Sequence, residues 1–223
     1  MNSNPPDGTS VKKYGLALHT ATPELGLAIS NFDGDSRYQT WNLGRSLATD
    51  LHQHLVEFIA PQTWANLAFI AVAKGPGGFT GTRMGMVTAR TLAQQLNIPV
   101  FAVSTLAAVA WLEPPQPPLD KGGLLDIALQ MPAQRGQLFG AVYSVNSNSG
   151  LTELFPDTVM TAESWQEKLA SWENSYQLIE VGSELGASVS GVLDLAYLEW
   201  KQGSRPNWSD ALPYYGQHPV QGK

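Results

Sequence analysis

The sequence contains no cysteine, which excludes disulfides, thiolate nucleophiles and cysteine-ligated metal centres at once. Charge is scarce as well: 14% of residues are charged, against roughly 25% in an average soluble domain, while apolar residues make up 43% and include seven tryptophans. A surface so short of charge is expected to reserve part of itself for a partner. Positive charge is the scarcer sign, with 13 Lys and Arg against 19 Asp and Glu and a net charge of −6. That balance cannot neutralise a phosphate backbone and excludes strong autonomous binding to nucleic acid. No run approaches the roughly 20 apolar residues that span a bilayer. The opening Met1-Asn-Ser-Asn-Pro-Pro-Asp-Gly8 is polar and contains proline, unlike a secretory leader. The expectation is a cytoplasmic protein without membrane attachment, residues 1–10 being a disordered lead-in and 217–223 a fraying tail. At 223 residues the chain has room for one large or two small domains with a real core.

Periodicity organises the first half. Tyr14 to Thr20 and Leu25 to Ile29 read as buried strands, and Asp35 to Trp41 follows the Asp33-Gly34 turn as a third, giving an antiparallel meander. From Gly44 the spacing changes. Leu47, Leu51, Leu55, Phe58 and Ile59 recur at helical intervals and predict an amphipathic helix stopped by Pro61. Leu67 to Ala73 is a buried strand, residues 80–97 a helix, Val100 to Val103 a strand, and Ser104 or Thr105 caps a helix running to about Leu112. Three antiparallel strands followed by helix, strand, helix, strand is the order of a ribonuclease-H-like lobe, its last strands parallel through right-handed crossovers. Glu113-Pro-Pro-Gln-Pro-Pro118 cannot be helical and predicts a stiff linker, hence an N-terminal lobe at 11–112 and a reduced, divergent C-terminal lobe at 119–223. Ile127 to Leu129 followed by Gly136 to Tyr143 repeats the strand, turn and strand of the first hairpin 111 residues later, as a duplication would. Beyond it come a strand at 151–159, a helix from Ala162 capped by Thr161, a strand at 177–181 and a helix over 185–200; the last forty residues carry the weakest pattern. Through Trp111 the chain has seven basic and six acidic residues, and from Leu112 onward six and thirteen. The near-neutral first half is the better partner-facing surface, because desolvating charge is costly.

The sharpest signal lies between a buried strand and a helix: Gly75, Pro76, Gly77, Gly78, Phe79, Thr80 and Gly81, followed by Arg83. Four glycines in seven residues let the backbone turn tightly and approach something closely, and free N–H groups at a helix start can bind an anion. A tight strand-to-helix turn without a ligand accounts for the same composition. A Walker loop is excluded, since no Gly-Lys-Ser/Thr follows.

Residues 11–111 resemble the TsaB family, partner subunits of the bacterial machinery that makes threonylcarbamoyladenosine in tRNA. The resemblance rests on Gly75-Pro-Gly-Gly-Phe-Thr-Gly81, Arg83-Met-Gly85, Ala89-Arg-Thr-Leu-Ala93, Asn97-Ile-Pro99 and Val103-Ser-Thr-Leu106, with Gly78 where the family prefers Ser. It implies an actin-like (ASKHA) α/β fold of two ribonuclease-H-like lobes. The second half departs from the family pattern: Pro132, Gln134 and Gln137 replace charged residues, and the terminal motif survives only as Pro213-Tyr-Tyr215. The resemblance further implies a TsaD-type threonylcarbamoyltransferase as partner, a TsaE-type ATPase as third member, a homodimer when the chain is alone, and tRNA contacted only indirectly. Its implied interface is a helix pair, carried here by Leu47, Leu51, Leu55 and Phe58 on the first helix and Met84, Val87, Arg90 and Thr91 on the second.

Catalysis finds little support. The catalytic sister family TsaD carries its metal-binding histidines where this chain has Thr105-Leu-Ala-Ala-Val109, and actin-like ATPases carry a carboxylate where it has His19. An imidazole does not replace a carboxylate at Mg²⁺. His52 and His54 point apart on a helix, Asp50 and His54 share a face but leave a metal incompletely ligated, and no nucleophile elbow accompanies the four histidines. No catalytic residue, metal or cofactor is therefore assigned. The rival reading is a small-molecule kinase or nucleotide hydrolase that uses the glycine loop on phosphate.

Overall fold

The computed structural model describes residues 14–113, 125–146 and 150–216. The expected lead-in at 1–10, the linker from 114 onward and the tail at 217–223 lie outside the described residues.

Five strands build the first sheet: β1 (Tyr14–His19), β2 (Glu24–Ser30), β3 (Ser36–Asn42), β4 (Leu67–Ala73) and β5 (Val100–Val103). Their order is β3-β2-β1-β4-β5. The first three are antiparallel neighbours, and β4 and β5 run parallel to β1, as crossover connections require. Helix α1 (Leu47–Ile59) and helix α2 (Phe79–Leu96) cover one face, where Leu16, Leu18, Leu27, Ile70 and Val72 meet Leu51, Leu55, Met86 and Ala89. The opposite face carries small side chains along β1 and β2 and at Ala71 and Ala73, namely Gly15, Ala17, Gly26 and Ala28 on the first two strands, beside the larger Phe69, Phe101 and Val103, and its small patch admits a closely seated helix. At Gly26 the approach is so tight that a Cβ would lie 2.0 Å from the carbonyl oxygen of Gly186.

The second sheet has the order β8-β7-β6-β9, from β6 (Asp126–Pro132), β7 (Gln137–Asn146), β8 (Gly150–Thr161) and β9 (Tyr176–Glu180). Helix α4 (Ala162–Ala170), capped by Thr161, buries Trp165 and Leu169 on Ala128 and Val142 of its outer face. Helix α3 (Thr105–Leu112), capped by the Ser104 hydroxyl accepting from the Ala107 N–H at 3.1 Å, and helix α5 (Val189–Lys201) lie between the sheets. They are exchanged: α3 packs on β6, β7 and β8, whereas α5 lies along β1, β2, β4 and β5. The boundary drawn at residues 112–119 divides the sheets but not the packing, because residues after 185 build part of the first sheet's cover.

After α5 the backbone turns at Gly203 (φ +90°) and rounds the sheet edge, where the Val100 N–H donates to the Pro206 carbonyl at 3.4 Å. Trp208 and Ala211 then pack on the α2 side of the same sheet. An otherwise open strand edge is thereby covered.

Candidate partner-binding face and interlobe cleft

The apolar stripe of α1 is spent on the protein's own core. Leu47, Leu51, Leu55 and Phe58 are 5%, 1%, 2% and 7% exposed and belong to the cluster beneath the first sheet. Their assignment as partner-contacting side chains is corrected to core residues, because an apolar stripe one sheet face wide is consumed by that sheet; Leu51 and Leu55 reach the surface only at the floor of the groove between α1 and α2. Beside the polar Thr49, Gln53 and Glu57, α1 turns outward Ala48, His52 and Val56, the last 61% exposed. On α2, Val87 is 54% exposed, Arg83 and Thr91 are exposed, and Met84 and Arg90 are half-buried. Between the helices runs a groove of about 540 Å³, floored by Leu51 and Leu55 and walled by Val56, Met84, Val87 and Leu92. Arg90 leans away from it, its guanidinium 6.0 Å from the Trp208 ring.

The glycine loop follows β4 and is occupied by the chain itself. A Cβ on Gly77 would lie 2.2 Å from the Ala21 carbonyl oxygen, and one on Gly81 2.1 Å from that of Thr20. The Gly78 N–H donates to the Ala21 carbonyl at 2.7 Å, and the Thr20 hydroxyl donates to the Gly81 carbonyl at 2.8 Å. Gly75 (φ +101°) sits beneath the Tyr214 carbonyl, and the Phe79 ring lies 4.5 Å from that of Tyr215. Close backbone packing against the β1–β2 turn and the C-terminal segment thus accounts for Gly75, Gly77 and Gly81 without a ligand, but not for Gly78, whose Cβ would have room. Pro76 completes the loop, and Thr80 is exposed at the start of α2.

Beyond the loop a cleft of about 870 Å³ opens between the halves. Thr20 to Pro23, Arg45 and Gly77 to Gly81 line it from the first half, and Met131 to Gln134, Ser183 and Tyr215 from the second. The departures at Pro132 and Gln134 therefore fall on the cleft wall. No Asp or Glu lines it among the described residues, so a magnesium-bound phosphate would find no protein carboxylate there. Among the described residues no three His, Cys, Asp or Glu gather closely enough to hold a metal ion. His54 stacks on Trp41 at 4.6 Å, while Asp50 accepts a hydrogen bond from Thr49.

His19 is wholly buried at the end of β1, and neither ring nitrogen has a partner. Burial pushes its pKa from 6.5 down to about 4. The folded chain holds the neutral imidazole, whereas the unfolded chain takes up a proton as the pH falls through 6.5. The stability tied to neutral His19 is therefore full above pH 6.5 and lost progressively towards pH 4, an amount of up to about 3 kcal/mol. Asp157, Asp194 and Glu199 act in the opposite sense, since burial raises all three carboxyls. Comparing wild type with His19→Leu isolates the imidazole, because no hydrogen bond is lost with it. Urea unfolding at pH 7 and pH 4.5 is expected to show stability falling less with acidification in the variant, and equal slopes would refute the buried neutral ring.

The comparisons with known proteins bear on this geometry. The family model described as TsaD: tRNA N6-adenosine threonylcarbamoyltransferase matches residues 54–177. The chain belongs to the TsaD family. Among relatives, it is 37% identical over 161 residues to the tRNA threonylcarbamoyladenosine biosynthesis protein TsaB of Bacillus subtilis, covering 69% of this chain and 65% of that protein. It is 31% identical over 140 residues to the protein of the same name from Escherichia coli, covering 60% and 56%. The chain thus spans somewhat under two thirds of these curated relatives. The solved structure of YeaZ from Pseudomonas aeruginosa superposes with a TM-score of 0.69 at 21% identity, covering 91% of this chain and 99% of that one. The resemblance to TsaB drawn from residues 11–111 holds, and so does the α/β architecture of two sheets, which is shared with that structure. No helix among the described residues of this TsaD-family chain is long and apolar enough to cross a membrane.

The sequence reading missed the strap formed by residues 204–216, whose contacts reach the glycine loop across 140 residues of chain. It also missed Val56 and Val87 as a pair. Val56 had a readable signal, an apolar β-branched residue one position off the buried stripe of α1.

Proposed function

We propose that the chain is a non-catalytic partner subunit in tRNA N6-threonylcarbamoyladenosine (position 37) biosynthesis, pairing through the α1/α2 face with a TsaD-type threonylcarbamoyltransferase in the cytoplasm. The observation that carries this reading is the groove between α1 and α2, with Val56 and Val87 standing exposed on its two walls. A partner helix laid there would remove both from water and close the groove, and interfaces of this kind are poor in charge at their centre. The residue set supports the absence of chemistry. The first turn of α3 carries Thr105 to Ala108, buried and without imidazoles, and His19 is sealed from the cleft. The relatives named TsaB support the process; the acidic second half supports an indirect route to tRNA, held by the partner. A TsaE-type ATPase is the third member of the assembly, and the chain pairs with itself through the same face when alone.

The test combines purified chain, a TsaD-type enzyme, and tRNA with the other reaction components. Co-elution of the two proteins and threonylcarbamoylation only when both are present are the expected results. Phosphate release from ATP and Mg²⁺ by the isolated chain would instead establish the kinase or hydrolase reading.

A further inference from the structure

Helix α2 has little of its own to hold its first turn in place. Its N-cap is Gly78, which offers no side-chain acceptor, no acidic residue stands in the first turn, and the loop before it is rich in glycine. Such a segment has many conformations to lose on ordering, and nothing local supplies the constraint.

The C-terminal strap supplies it from outside. The Tyr214 N–H donates to the Lys74 carbonyl at 2.6 Å, at the root of the loop, and the Tyr214 carbonyl presses on Gly75, where a Cβ would lie 2.4 Å away. The Tyr214 hydroxyl donates to the Asp157 carbonyl at 2.6 Å and so ties the same point to the second sheet. About three turns into α2, Arg90 rests against Trp208, itself packed with the first sheet's core. The strap therefore grips the loop before α2 and the middle of α2, on the side away from the groove.

We propose that residues 204–216 are a positioning element for the partner face: Tyr214 on the Lys74–Gly75 backbone and Trp208 against Arg90 fix the seat of α2, and with it Met84 and Val87. The hold on α2 stands on the contacts above; its consequence for binding rests on the reading of the α1/α2 face. If the strap is loosened, only a fraction of molecules presents α2 in the competent position, and the apparent affinity falls by that fraction.

Hydrogen exchange of the full chain and titration against a TsaD-type enzyme test the two parts separately. In Tyr214→Ala the amides of residues 78 and 82–86 are expected to exchange about tenfold faster, with those of β6 and β7 unchanged. Tyr214→Phe keeps the ring beside Phe139 and loses only the hydroxyl tie to Asp157, so exchange at these amides is expected to fall between wild type and Tyr214→Ala. Should Tyr214→Ala unfold the chain, Trp208→Ala decides, with faster exchange centred on residues 86–93. Both folded variants are expected to bind the enzyme at least about fivefold more weakly than wild type. Unchanged exchange in α2 overturns the strap as a positioning element, whatever the binding result. Faster exchange with unaltered affinity overturns the link to binding. Val87→Arg is the control on the face itself: wild-type binding by that variant removes the reading of the face and leaves the strap to be judged by exchange alone.

Discussion

Val87→Arg is expected to weaken binding to a TsaD-type enzyme at least about 100-fold, equivalent to about 2.7 kcal/mol, while the isolated chain stays folded. Val87 lies midway along α2, is 54% exposed, and stands across the groove from Val56. Exposed substitutions away from caps and strained backbone typically change stability by within about 0.5 kcal/mol. In a complex the same position would be desolvated. A guanidinium placed there without a partner carries the cost of an uncompensated buried charge, about 3–5 kcal/mol. Arg83, one turn earlier on the same helix, adds like-charge repulsion and offers no compensation. Val87→Ala sets the scale for lost contact alone and should cost roughly tenfold or less, since only two methyl groups are removed. Isothermal titration gives the affinities, and thermal unfolding of the free variants shows that the loss is one of docking. Binding by Val87→Arg within a few fold of wild type would remove the α1/α2 face as the docking surface.

Leu51 makes the contrast concrete. From the sequence it is as good a place for that arginine as any on the face, being apolar and in register on α1. In the structure it is 1% exposed and packs between the sheet and both helices, so an arginine there would bury charge inside the protein's own core and unfold it. Helical periodicity identifies an apolar stripe, but the same stripe arises whether the surface it meets belongs to the chain or to a partner. Only the width of the sheet beneath decides how much is left over. The strands and helices themselves were legible because local signals agree at each of them. Leu67–Ala73 is a strand with the bounds its apolar run predicts, and Ser104 and Thr161 cap the helices they precede. The exchange of α3 and α5 between sheets left no such mark, since it depends on which of two sheets presents small side chains. The strap is illegible for a related reason: Tyr214 owes its place to Lys74 and Asp157, and neither separation has a period.

The glycine loop separates two uses of the same residue, and two substitutions three positions apart resolve them. Gly81→Ala is expected to destabilise the chain by about 3 kcal/mol, the upper part of the range for overpacking, and to lower the melting temperature by roughly 6–12 °C for a protein of this size. The added methyl would sit 2.1 Å from the Thr20 carbonyl oxygen. That oxygen is backbone and cannot rotate away. Moving the β1–β2 turn to relieve the clash also strains the hydrogen bond from the Thr20 hydroxyl to the Gly81 carbonyl. The gain from replacing glycine inside a helix, about 0.5–1 kcal/mol, offsets only part of this. Gly78→Ser should behave in the opposite way. Its backbone, φ −65° and ψ 125°, is open to any residue, and its Cβ would meet nothing nearer than the Ala21 oxygen at 3.6 Å. A serine there stands at the N-cap of α2 and supplies an acceptor for the first-turn N–H groups that Gly78 leaves without one, a gain of a few tenths of a kcal/mol. Differential scanning calorimetry of the two variants is expected to place them on opposite sides of wild type. If Gly81→Ala melts within 2 °C of wild type, the turn at Thr20 yields more easily than its packing implies, and the close-packing account of the loop fails.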